Sequence, residues 1–83
     1  MRNHLEIIVA VEHYLSTNNQ HVELSGLQKE VRAGATGGEI CANVGSWLLT
    51  YKKDKKPVSP QMDELIKEFI SYCNYNGLFF NKH

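Results

Sequence analysis

The sequence predicts an all-α protein, a compact bundle of about four helices, with residues 1–83 forming a single helical domain. The segment from Thr36 to Tyr51 opens with a T-x-x-E capping box, Thr36 and Glu39. It then places Ile40, Cys41, Val44, Trp47, Leu48 and Tyr51 close to the 3.6-residue helical period. Ser59-Pro60 joins a favoured N-cap residue to a favoured first helical residue. No segment alternates apolar and polar residues cleanly with the period of two expected of a half-buried strand.

Taken in order, Asn3 can cap a first helix that runs to about Thr17. Its buried stripe reads as Leu5, Ile8, Val11 or Glu12, and Leu15, with Tyr14 at the edge. Asn18 and Asn19 end it, because asparagine tolerates turn geometry and its side chain competes for backbone groups. A second, shorter helix takes Ser25 and Gln28 as a weaker capping-box pair. Leu24, Leu27 and Val31 supply its apolar side, and Gly34 suits the C′ position. The third helix is the Thr36 to Tyr51 segment. Lys52-Lys53-Asp54-Lys55-Lys56-Pro57 then reads as a charged connector whose end Pro57 keeps out of helix. The fourth helix starts at Ser59-Pro60, with Asp63 and Glu64 complementing the helix dipole in its first turn. Met62, Leu65, Ile66, Phe69 and Cys73 face inward, and Asn76-Gly77 closes it. Leu78, Phe79 and Phe80 follow as an apolar tail, expected to pack across the bundle or, with Tyr72 and Tyr75, to offer a patch to a partner.

A chain of this length buries roughly 60–65% of the surface its unfolded form exposes, so its stability is expected to be modest. The hydrophobic fraction of 42% and the charged fraction of 22% are ordinary for a globular protein. The net charge of zero is unevenly spread. Residues 1–50 carry three basic side chains against five acidic ones, and residues 51–83 carry six against four. A neutral chain has no general pull towards nucleic acid or an anionic membrane. The longest uncharged apolar run, Ile7 to Val11, is far short of the ~20 residues that span a bilayer. The N-terminus has no signal-peptide pattern, so a cytoplasmic protein is expected. Cys41 and Cys73 both lie on apolar helical faces and read as buried thiols.

Catalytic and metal chemistry find little support in the residue spacing. His4, His13, His21 and His83 lack ligand spacing, and the cysteines stand 32 positions apart, so neither a metal nor a cofactor is expected. No G-x-S-x-G elbow occurs, and Ser46 faces away from the apolar stripe. Gly34, Gly37 and Gly38 follow no strand and precede no Gly-Lys-Ser/Thr, so they are not a phosphate loop. The expectation is a protein that is not an enzyme. Lys52, Lys53, Lys55 and Lys56 could hold a phosphate backbone, but they lack interleaved aromatic or Arg residues and read as a solvated loop. A helix-turn-helix would use Leu27 to Ala33, Gly34 and the helix starting at Thr36. That helix opens on Thr36, Gly37, Gly38 and Glu39, leaving Asn43 as its base reader.

Gly38-Glu39, the helix with Trp47-Leu48-Leu49, the gap, Lys56-Pro57-Val58-Ser59 and Leu65-Ile66 form a series. It resembles the small all-α immunity proteins of bacterial polymorphic-toxin systems, of the Maf and contact-dependent growth inhibition kind. The match covers roughly Gly34 to Phe69. Asn43 and Gly45 depart from the pattern, as does the basic connector from Lys52 to Lys56. The resemblance implies a partner that is a cognate toxin domain, plausibly a ribonuclease, blocked by steric and electrostatic occlusion. Glu23, Glu30, Asp63 and Glu64 are then the candidate interface acids, with Tyr51 and Tyr75 as candidate aromatic anchors. The runner-up reading is a small nucleic-acid-binding regulator. A third is an adaptor that dimerises through Leu78 to Phe80.

Overall fold

A computed structural model describes residues 2–77, and those residues form four helices and no strand. They are α1 (His4–Thr17), α2 (His21–Ala33), α3 (Gly37–Asp54) and α4 (Pro60–Tyr75). The tail at Leu78, Phe79 and Phe80, and His83, lie outside the described residues. Each helix packs against two others, in the closed order α1–α2–α3–α4. The loops between them are short, which makes sequential neighbours antiparallel. Cross-helix pairs show the same direction: Glu23 meets Lys55 while Glu30 meets Asn43, and Arg2 meets Glu68 while Tyr14 meets Ser59.

Three helix starts follow local chemistry. At α1, the Asn3 side chain accepts from the Glu6 N–H and the Glu6 carboxylate accepts from the Asn3 N–H, a reciprocal box. At α3 the box forms between Thr36 and Glu39, whose carboxylate also accepts from the Ala35 N–H. At α4 the Ser59 hydroxyl accepts from the Met62 N–H at 3.2 Å, with Pro60 opening the helix. The same hydroxyl lies 2.6 Å from the Tyr14 phenol, so this cap is also a tertiary contact.

The second helix departs from expectation. It starts at His21, four residues before Ser25, and its N-cap residue Gln20 makes no side-chain capping bond. Asn19 adopts the left-handed conformation at φ 59°, and the Gln20 N–H donates to the Leu15 carbonyl. The chain thus turns tightly off α1 and enters α2 directly. Ser25 is an exposed residue inside that helix, not its cap. Gly34 is extended at φ −88°, so it ends α2 without the left-handed turn foreseen for C′. The third helix continues to Asp54 and takes in Lys52 and Lys53, which form helix readily and sit favourably beside the carbonyl end of the dipole.

The core is built from Ile7, Ile8, Val11, Tyr14 and Leu15 of α1, Leu27 of α2, Cys41, Val44, Leu48 and Tyr51 of α3, and Met62, Leu65, Ile66, Phe69 and Cys73 of α4. Leu5, expected in the stripe, is 51% exposed, and Tyr14, expected at the edge, is buried. The buried face of α1 is rotated towards Ile7 and Tyr14, which places Leu5 on the flank. Trp47 and Ile40 also lie partly outside the core and pack against it.

Candidate functional site

Hollows of ≈ 600 and ≈ 720 Å³ lie between α4 and α1, but the α2–α3 pair carries the surface lined by the tryptophan, and Gly26 explains how it is built. Gly26 of α2 faces Trp47 of α3, where a β-carbon on Gly26 would lie 3.2 Å from the indole Nε1. The indole therefore lies close against the α2 backbone instead of entering the core. It also stacks on the Tyr51 ring, with centroids 5.4 Å apart and planes 29° apart. Two hollows flank it. One, of ≈ 350 Å³, is lined by Val22, Glu23, Gly26, Trp47, Thr50, Tyr51, Asp54 and Lys55. The other, of ≈ 300 Å³, is lined by Glu30, Asn43, Ser46, Trp47 and Thr50. Because both share Trp47 and Thr50, they read as one shallow groove between the helices. Val22 stands at its rim, 82% exposed.

Ion pairs hold the ends of the bundle. The Lys55 ammonium lies 2.7 Å from the Glu23 carboxylate, which it holds below the usual glutamate range. Asp63 sits between Lys52 and Lys67, each at 3.1 Å, and both hold it below the usual aspartate range. Arg2 clamps Glu68 through two hydrogen bonds, one at 2.9 Å, and lowers that carboxyl likewise. So two lysines of the basic run, Lys52 and Lys55, are joined to acids of the bundle. Lys53 and Lys56 have no ion pair among the described residues.

The six candidate partner-binding residues do not form one patch. Glu23, Glu30 and Tyr51 line the α2–α3 groove. Asp63 is engaged by its two lysines, while Glu64 is exposed near Arg2, Gln61 and Lys67 on the side where α4 meets the start of α1. Tyr75 ends α4 and is 82% exposed. Tyr51 is only 7% exposed, and its hydroxyl donates to the Gln20 side-chain oxygen at 2.6 Å. Burial pushes its phenol above the ordinary value. It supports the groove from beneath and has little surface to offer a partner. Trp47, Val22 and Asp54 also line the groove, and the sequence gives no local signal of it. Trp47 reads as core on periodicity alone, Val22 precedes the helix start inferred from Ser25, and Asp54 is hidden in a lysine run.

Two further groupings bring together side chains that can carry chemistry. Cys41 and Cys73 are free, buried and side by side between α3 and α4. Burial pushes the Cys73 thiol up to about 12 and raises Cys41 too, which disfavours the nucleophilic thiolate. The His4 ring lies 5.6 Å from the Tyr72 ring, and its Nδ1 is buried without a hydrogen-bond partner among the described residues. No group of three or more His, Cys, Asp or Glu side chains among the described residues is arranged to hold a metal ion. No described helix is long and apolar enough to cross a membrane. Comparison with family models, with curated proteins and with solved structures finds no match to this chain.

Proposed function

We propose that this chain is a bacterial, cytoplasmic immunity protein, a non-catalytic module that binds a cognate toxin domain and occludes its active site, the toxin being an RNA-cleaving enzyme. The observation that carries this reading is the α2–α3 groove, where the partly exposed Trp47 and the exposed Val22 lie among Glu23, Glu30 and Asp54. An aromatic side chain set among carboxylates is the chemistry that meets a basic, phosphate-binding cleft. Ribonucleases need such a cleft to hold their substrate.

The nucleic-acid reading draws less support. Lys52 and Lys55 are joined to Asp63 and Glu23, the Glu39 carboxylate caps α3 where a recognition helix would meet phosphate, and the Asn43 amide donates to the Glu30 carbonyl at 3.4 Å. Co-expression with a toxin domain encoded beside this gene tests the proposal. Growth should be restored, and the two proteins should co-purify. Equal killing with and without this chain overturns it.

A further inference from the structure

Within that protein-binding reading, we infer that the α2–α3 groove takes an arginine-bearing segment of the partner, with one guanidinium lying over the Trp47 indole. The hollows of the bundle differ in their balance of charge. On the α1–α4 side, two cations, Arg2 and Lys67, line the hollows with Glu6, Glu64 and Glu68, and Arg2 is tied to Glu68. Along α2–α3, three carboxylates line the hollows against one ammonium, and that ammonium, Lys55, already serves Glu23. Glu30 and Asp54 have no ion-pair partner among the described residues.

Both of these acids sit where a helix disfavours them. Asp54 is the last residue of α3 and Glu30 lies near the end of α2, so each faces the negative end of its own dipole. Local propensity does not place them there, and a cationic partner would relieve both. A break in local consistency of this kind is expected at an interaction site.

The dimensions select the occupant further. From Asn43 to Asp54, α3 rises about 16 Å. That span is about five residues of extended chain. The indole lies between the two unpaired acids, so a short strand of partner can place cations at both ends and one over the ring. Arginine suits this better than lysine, because its planar guanidinium stacks on an indole while its fork pairs with a carboxylate.

The chain holds a single tryptophan, so its fluorescence reports the groove directly. The full chain is titrated with a nonaarginine peptide, and separately with an oligolysine of equal length. Nonaarginine should produce a saturable change in Trp47 emission, and oligolysine should bind about fivefold more weakly or worse. Replacing both acids, Glu30→Gln with Asp54→Asn, should weaken nonaarginine binding about tenfold while leaving the far-UV melting curve in place. Absence of a saturable change, equal binding of the two peptides, or undiminished binding by the double variant each overturns the assignment. The co-expression assay separates the two levels of inference. If the double variant protects cells as well as the wild type, the groove is wrong and toxin binding stands. If the wild type gives no protection, toxin binding falls and the peptide titration alone judges the groove.

Discussion

Gly34 is defined by space and not by backbone angle. Its φ of −88° suits any residue, yet a β-carbon there would lie 2.7 Å from Ile40 Cγ1 and 2.8 Å from the Ile40 backbone nitrogen. One of those atoms is main chain in the first turn of α3, so relief requires the α2–α3 turn itself to move. Gly34→Ala should therefore destabilise by about 1–3 kcal/mol, as overpacking does. The urea midpoint should fall at unchanged slope, and a variant as stable as the wild type would sink the claim. Gly26 provides the contrast. Its β-carbon would meet only the edge of the Trp47 side chain, which can shift, and alanine favours the helix by up to ~1 kcal/mol over glycine. Gly26→Ala should change stability little and alter the tryptophan emission, because it pushes on the indole that lines the groove.

Helix boundaries show which parts of the fold local sequence can specify. Where a side chain satisfies the first free N–H groups, as at Asn3, Thr36 and Ser59, the start is legible and correctly placed. Thr36→Ala should cost about 1 kcal/mol, measured by denaturant unfolding, because it removes one half of a closed box. A cost near zero would mean that tertiary packing alone holds the start of α3. The inward face of α4 was legible in full, since Met62, Leu65, Ile66, Phe69 and Cys73 are the residues buried there. By contrast, the start of α2 depends on the left-handed Asn19 and on a tertiary bond from Tyr51 to the Gln20 side chain, neither of which leaves a local signature. The end of α3 is obscured because a lysine run suits a solvated loop as well as it suits a helix C-terminus. The site was only half legible for related reasons. Charge points to Glu23 and Glu30, but periodicity assigns Trp47 to the core. Its partial exposure follows from Gly26, a feature of the neighbouring helix.

At the scale of the whole molecule, the uneven charge along the chain is joined across the bundle. Arg2 at the start reaches Glu68 in α4, Lys55 after α3 reaches back to Glu23 in α2, and Lys52 links α3 to Asp63 of α4. These pairs are substantially exposed, so each contributes little at ordinary salt, but together they tie all four helices and give stability a defined pH response. Glu23, Asp63 and Glu68 titrate lower in the folded chain than their ordinary values of 4.5, 3.8 and 4.5. The folded state therefore binds fewer protons than the unfolded one in the acid range. Their contribution is fully present above about pH 4.5 and is lost as pH falls through the lowered values. At the alkaline end the sign reverses: Cys73 holds its proton up to about 12 against an ordinary 9.0, so its contribution is complete below pH 9.0 and is lost as pH rises towards 12. Thermal midpoints measured across this range should form a plateau with a fall on each side. The triple variant Glu23→Gln, Asp63→Asn, Glu68→Gln should lower the plateau slightly and flatten the acid fall, and 1 M salt should mimic that flattening by screening the pairs. Cys73→Ala should soften the alkaline fall and leave the acid side untouched. An acid fall as steep in the triple variant as in the wild type would show that groups other than these three carboxylates govern it.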